Sequence, residues 1–387
     1  MLRAILVGAI LHSLFTLGLL FANLALIRKL SRALGGAVRD PRAFPSVSIV
    51  VPARDEERGI RDGVGSLLAQ DYPDFEVLVV NDRSADRTGE ILRSFSSDPR
   101  LRVIEGGEPP PGWLGKPHAL FLGAREAQGT LLHFVDADVR YHPRTLAEAV
   151  DFLERERVDL LALLPKVEAS GFWENVLMPF LAGSIFGGPG FLANRDRPWW
   201  LAVGGGAGNL IRRSAYDSIG GHEALRDSIV DDVHLAMSAK QAGFRARFVR
   251  AEDRVRVRMY QGFREIVDGF TKNIAYCITG LLGGVLFLFW VLSSLFWIVP
   301  PAVLLFAVVG GAVPASAVPL AALAFGLVLI ARLLLASELS EPLWPALTHP
   351  IMAAVWAGIL CRSLYWKLVK REVVWRGRRY DAASARF

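Results

Sequence analysis

Three groups of acidic residues stand out in the 387-residue chain, each at the edge of a regular element. Asn81-Asp82-Arg83-Ser84, with Asp86 beyond it, follows the apolar run Phe75 to Val80. Asp136-Ala-Asp138 follows Thr130 to Val135, and Asp231-Asp232 opens a helical pattern over Val233 to Ala242. Two carboxylates one residue apart at a strand end can divide two tasks. One faces a ligand hydroxyl and the other a hard divalent cation, Mg2+ or Mn2+, which prefers oxygen ligands. Such a cation, shared with phosphate oxygens, neutralises a departing diphosphate. A further positioned carboxylate can take the proton of an attacking hydroxyl. Asp-x-Asp alone is a weak signal, and Asp231 and Asp232 also suit the positive end of a helix dipole. No Ser–His or Cys–His arrangement presents itself as a nucleophile.

The surrounding sequence must place these groups together. Strands are expected at Ser46–Pro52, Phe75–Asn81, Leu101–Ile104 and Thr130–Val135. Helices are expected at Glu57–Gln70, Ala85–Phe95, Pro117–Ala127 and Arg144–Arg155. That alternation implies an α/β domain with a mostly parallel central sheet and helices on both faces. Ligands of such sheets bind beyond the carboxyl ends of the strands, where the acidic groups fall.

The apolar content, 52% of residues, is concentrated outside this domain. Ala4 to Ile27 and Ile274 to Ala331 carry no charge; the first is long enough for one crossing of a ~30 Å hydrocarbon core and the second for two. A third candidate, Ala346 to Leu368, contains His349 and Arg362. Arg28, Lys29, Arg32, Arg39 and Arg42 follow the first segment, against Arg3 before it, so it reads as a retained anchor with the domain in the cytoplasm. The expected layout is an anchor over 1–28, a catalytic domain over 46–258, an amphipathic interfacial helix over 259–273, membrane or re-entrant helices over 274–370, and a basic tail over 371–387. That layout would make it a multi-pass protein of the plasma (inner) membrane. The stretch Asn175 to Asn194 is also uncharged, but its six glycines and prolines favour a loop or helix dipping into the interface. For the tail to be cytoplasmic as well, an even number of spans must follow the domain, and the His349/Arg362 segment is the one expected to be re-entrant or interfacial. The net charge of +6 lies largely beside these segments, where lipid headgroups account for it without nucleic acid. Cys277 and Cys361 have no metal-ligand spacing and are given no role.

Five motifs in order resemble the family 2 glycosyltransferases. They are Val51-Pro-Ala-Arg-Asp-Glu-Glu57, Val80-Asn-Asp-Arg-Ser84, Gly112-Trp-Leu-Gly-Lys116, Val135-Asp-Ala-Asp138, and Ile219-Gly-Gly-His222 with Val230-Asp-Asp232. The resemblance covers about Ser46 to Asn273 and implies a GT-A fold, a nucleotide-sugar donor and an inverting transfer. By that resemblance Pro52, Arg54, Glu56 and Asp82 would line a uracil and ribose pocket. Lys116 would approach the diphosphate, Asp136 the ribose and Asp138 the metal. Asp232 matches the second position of the family's Glu-Asp pair, which supplies the general base, and Asp231 stands where the longer acid is usual. Lys116 also reads as a solvated lysine opening a helix. His222 reads equally as a contact to sugar or acceptor and as a histidine bonded within its own loop.

Processive relatives carry Gln-x-x-Arg-Trp after the base. Here Gln261 and Arg264 match, but Glu265 stands at the tryptophan position, which removes the aromatic platform for a growing chain. The runs around Arg258-Met-Tyr-Gln and Val374-Trp-Arg-Gly are similar to bacterial enzymes that glycosylate polyisoprenoid lipids, the carotenoid-acid (diaponeurosporenoate-type) and hopanoid-associated glycosyltransferases. They imply a single sugar placed on a membrane lipid. A processive polysaccharide synthase is the alternative enzyme, and a transporter or receptor with a nucleotide-sensing domain the alternative of another class.

Overall fold

The structure is a computed structural model, and it describes residues 1–35, 38–40, 43–188, 190–274, 280–370, 372–375 and 378–381. Cys277, Arg42, Arg371 and Arg376 lie outside the described residues. The chain opens with the long helix α1 (Leu2–Leu34). The α/β unit follows: β1 (Val47–Ala53), α2 (Ile60–Leu68), β2 (Phe75–Asn81), α3 (Thr88–Arg93), β3 (Leu101–Glu105), α4 (Gly115–Glu126), β4 (Leu131–Phe134), β5 (Val139–Tyr141) and α5 (Thr145–Arg155). Its second half holds β6 (Leu160–Leu164), β7 (Lys166–Val167), the short helices α6 (Phe172–Leu177), α7 (Pro179–Phe186) and α8 (Gly190–Ala193), then β8 (Asn209–Arg212), α9 (Arg213–Ser218), α10 (Gly221–Ala224), α11 (Asp231–Gln241), β9 (Ala246–Arg250) and β10 (Val255–Val257). The remainder is α12 (Gly262–Ile274), α13 (Gly280–Val308), α14 (Ala317–Glu338), α15 (His349–Tyr365) and a hairpin of β11 (Glu372–Trp375) and β12 (Arg378–Asp381).

The central sheet has the order β3-β2-β1-β4-β8-β6-β9. The β1–β2, β2–β3, β1–β4 and β6–β9 pairs are parallel, and β8 runs against both its neighbours. The parallel strands are apolar on both sides because helices cover both faces. Along β1, Val47, Ile49 and Val51 enter the layer of α2 and α5, while Val50 faces α4 and α11. A small sheet, β5-β10-β7, closes one end of the domain.

The membrane-compatible helices are built onto this unit. Leu20, Leu24 and Ile27 of α1 and Leu335 and Leu339 at the end of α14 share the core layer of α4 and α11. Arg28 of α1 and Arg250 of β9 both pair with Glu338, tying anchor, domain and α14 together. Among the described residues, four helices are long and apolar enough to cross a membrane: Leu2–Leu34, Leu288–Val308, Ala317–Glu338 and His349–Lys370. The uncharged stretch after Asn175 folds into parts of three short helices. The amphipathic α12 buries Ile266, Phe270 and Ile274 against α6 and α15. Trp356 of α15 donates to the Leu177 carbonyl at 3.0 Å, and Arg362 pairs with Asp268 of α12 at 2.8 Å.

Candidate active site

The site forms where β1, β2 and β4 end. In the parallel register Ala53 lies beside Asn81, so the next residues, Arg54 and Asp82, face each other across two loops. Arg54 donates from Nη1 to the Asp82 carbonyl at 3.0 Å and lies 3.5 Å from its carboxylate. Burial raises the pKa of Asp82, and the guanidinium groups of Arg54 and Arg83 oppose that shift without cancelling it. The loops are laced through their backbones: Asp55, Glu56 and Glu57 donate N–H bonds to Ser84, Thr88 and Asp86 at 2.8–3.0 Å. Bonds from Thr88 and Glu57 hold the Asp86 carboxyl below its usual range despite some desolvation. Asp86 is therefore a staple between the two loops.

After β4, the Asp136 N–H donates to the Gly206 carbonyl at 2.7 Å. Its carboxylate meets the Lys116 ammonium at 2.8 Å, and the same ammonium lies 3.9 Å from Asp231. Lys116 thus spans the second and third acidic groups from the first turn of α4. Burial opposes its charge, but Asp136, Asp231 and Asp232 together raise its pKa well above the usual lysine value. Asp231 is only 3% exposed, and burial pushes its pKa up to about 7 against the pull of Lys116. Asp232, next on α11, is less buried, and its Oδ1 accepts the N–H of Val233.

Nine of the twelve sequence-derived site residues line one cavity of about 490 Å³: Pro52, Arg54, Glu56, Asp82, Lys116, Asp136, Asp138, Asp231 and Asp232. The remaining three lie elsewhere. Gln261 and Arg264 line a neighbouring cavity of about 730 Å³ under α12, which shares Glu56, Asp138 and Tyr260 with the first. His222 is buried behind Asp231, its Nε2 3.9 Å from that carboxylate. Its Nδ1 bonds the Tyr216 hydroxyl at 3.0 Å, and desolvation lowers its pKa to about 3.

Two features of the cavity escaped the sequence reading. One is the run Gly204-Gly-Gly-Ala-Gly208, which passes directly under the acids. A Cβ on Gly206 would lie 1.8 Å from Asp136 Oδ2, and one on Gly204 would lie 2.1 Å from the Asp232 carbonyl. Three consecutive glycines were the available signal for close backbone approach. The other is α7, of which Met178 at the N-cap, Leu181, Ala182 and Ile185 form one apolar face of the cavity at helical spacing. Leu339 and Glu341, from the loop after α14, complete the wall.

Among the described residues no group of three or more His, Cys, Asp or Glu side chains is arranged to hold a metal alone. Asp138 nonetheless lines both cavities. One or two carboxylates completed by phosphate oxygens is how Mg2+ is usually held, so the residues fit a cation shared with a ligand.

Residues 48–220 match the model of Glycosyl transferase family 2. The chain is 25% identical over 241 residues to a 4,4'-diaponeurosporenoate glycosyltransferase of Staphylococcus haemolyticus, and 27% identical over 235 residues to that of Staphylococcus aureus strain USA300. Those matches cover 61% and 59% of this chain but 63% and 61% of the relatives, less than two thirds of their length. Among solved structures, a mannosyltransferase from Pyrobaculum calidifontis in complex with GDP-Man and Mn2+ superimposes with a TM-score of 0.55. It is 22% identical and covers 96% of this chain and all of the other. Residues 48–220 are therefore similar to family 2 glycosyltransferase domains, and the fold is the GT-A fold with its mixed, mostly parallel sheet.

Proposed function

We propose that this chain is an inverting glycosyltransferase that moves one sugar from a nucleoside diphosphate sugar to the hydroxyl or carboxylate of a membrane lipid. The observation that carries this reading is the lining of the main cavity, which brings the acidic cluster together with the apolar face of α7 and Leu339. A water-soluble donor and a lipid acceptor require those two chemistries in one space.

The roles we assign are those the resemblance implies, and the shared cavity is compatible with them. Pro52, Arg54 and Glu56 with Asp82 form the floor for the base and ribose, and Asp136 completes it toward the ribose. Lys116 exchanges part of its contact with Asp136 and Asp231 for the donor's diphosphate. Asp138 would hold a Mg2+ or Mn2+, which supplies positive charge against the leaving group. Asp232 takes the proton of a hydroxyl acceptor as its oxygen attacks the sugar C1 from the face opposite the diphosphate. The proton moves to the carboxylate, the C1–oxygen bond to the diphosphate breaks, and the anomeric centre inverts. An ionised carboxylate acceptor needs no such base. Asp231 beneath it, and Gln261 and Arg264 in the adjoining cavity, bound the space left for the acceptor.

The names of the similar proteins point the same way: the staphylococcal enzymes are named for a carotenoid acid, and the archaeal enzyme was solved with GDP-Man and Mn2+. The glutamate at position 265 and the small helical bundle favour a single transfer over polymer synthesis. Incubating purified full-length chain with radiolabelled UDP- or GDP-sugars and a bacterial lipid extract tests the reading. One sugar per labelled, organic-soluble lipid is expected. A labelled polymer, or free sugar alone, would contradict it.

A further inference from the structure

The anchor helix reaches the wall of the main cavity through one side chain. Asn23 lies within the uncharged run of α1, five residues before Arg28, and is 0% exposed. Its Nδ2 donates to the Phe186 and Gly188 carbonyls, each at 2.8 Å. An amide nitrogen has two protons, and both are committed here. The two carbonyls stand at the end of α7, where the last turn of a helix leaves its acceptors without partners. Asn23 therefore caps α7 from another element, and a buried carbonyl deprived of it would be costly. The side chains beside those carbonyls belong to the cavity: Ile185 and Phe186 line it with Leu181 and Ala182. Leu20, Leu24 and Ile27 of α1 share a packing layer with Phe186, and Ala182 and Ile185 pack against that layer. The Arg250 guanidinium lies over the Phe186 ring at 5.9 Å, and its partner Glu338 is also the partner of Arg28.

We propose that Asn23 is a positioning residue for the lipid acceptor: by capping α7 it fixes the wall of Leu181, Ala182, Ile185 and Phe186 against which a hydrocarbon chain lies. A chain suits this wall better than a headgroup does. The side chains are apolar, and their packing layer continues into α1, a helix long and apolar enough to cross a membrane. The donor side is built on other elements, with Arg54 and Asp82 on the loops after β1 and β2 and Lys116 in the first turn of α4. Loss of the cap should therefore reach the lipid and spare the nucleotide. The competing reading is that Asn23 only fastens α1 to α7. The identity of the occupant as acceptor rests on the function proposed above; the position of the wall does not.

The test titrates the full chain, in phosphatidylcholine nanodiscs, with a diazirine-bearing farnesol and maps the photochemical label by peptide mass spectrometry. No sugar transfer is involved, so failure of the catalytic reading and failure of this one are seen separately. Saturable labelling of segment 178–188 is expected in the unaltered chain. Asn23→Leu should raise the half-saturating probe concentration roughly fivefold or more and change nucleotide diphosphate affinity by less than about twofold. Asn23→Ser, which keeps one donor, should fall between, and it decides the matter if the leucine variant does not fold. Ile185→Ala should weaken labelling of the unaltered chain but add little in the Asn23→Leu background, because both act on one wall. Labelling of α7 that never saturates, or an unchanged half-saturation in a folded Asn23 variant, would overturn the proposal. So would an equal loss of nucleotide and probe binding, which would make Asn23 a general support of the fold.

Discussion

At the scale of single residues, two neighbouring aspartates on α11 are predicted to behave differently. Asp231 is buried, with a pKa near 7 against an ordinary 3.8. The folded chain therefore holds a proton that the unfolded chain has lost, and stability declines as pH rises from about 4 to about 7. Asp231→Asn removes that penalty. Its melting temperature should match the parent near pH 4 and exceed it above pH 7, where the penalty is at most roughly 4 kcal/mol. Thermal scans across that range check this, and a less stable variant at pH 8 would refute it. Asp138 and Asp232 separate by another criterion. Asp138→Ala should abolish both metal-dependent nucleotide binding and transfer. Asp232→Asn should leave binding nearly unchanged and cost roughly 10²–10⁴ in transfer to a hydroxyl acceptor. Calorimetry with and without Mn2+, beside single-turnover transfer, measures both, with Asp231→Asn as the control. Normal turnover in Asp232→Asn with loss in Asp231→Asn would move the base to Asp231; little loss in either would identify a carboxylate acceptor.

Between residue and molecule stand the loops and helices that hold these groups. The loop Gly204 to Gly208 supports a sharp paired test. Gly206→Ala would drive a methyl into the Asp136 carboxylate, whereas a Cβ on Gly205 meets nothing within 4 Å. Gly206→Ala should weaken nucleotide binding at least tenfold in a folded protein, and Gly205→Ala should not; equal affinities would remove the loop from the site. The contrast also marks what was legible in the sequence. Apolar runs ending in acids located β1, β2 and β4 to within a residue or so, because parallel strands buried on both faces leave a continuous signal. The burial of His222 behind Asp231 was not legible, since a Gly-Gly-His turn reads the same whether it faces a ligand or the core. Nor was the reversal of β8, which depends on pairing partners distant in sequence. The cavity face of α7 was hidden because the helix is apolar on opposite sides: Phe180 stacks on Trp356 at 4.0 Å while Leu181 and Ile185 face the site.

Across the whole molecule, the helices decide which side of the membrane each part meets. The C-terminal flank of α1, the end of α14 and strand β9 converge on Glu338, which places the ends of those two helices beside the domain. α15 runs from Trp297 back to α12, where Arg362 meets Asp268, and the β11–β12 hairpin packs beside α12. We propose a re-entrant or interfacial α15, two spans after the domain and a cytoplasmic tail, although His349–Lys370 is itself long and apolar enough to cross. A cysteine placed at Arg379 in a Cys277→Ser/Cys361→Ser background should resist a membrane-impermeant thiol reagent in intact cells and react after permeabilisation. Ready labelling from outside would refute the arrangement.

The central claim is that one cavity joins a soluble donor to a lipid acceptor. Its most direct test is transfer from radiolabelled nucleotide sugar by the full chain reconstituted in vesicles, compared with a fragment spanning Ser46 to Arg258 that lacks α1 and everything from α12 onward. Both should bind nucleotide diphosphate, and the full chain alone should place label on an extractable lipid at a substantial rate. Equal lipid transfer by the fragment on detergent-dispersed acceptor, or binding without any lipid product from the full chain, would contradict it.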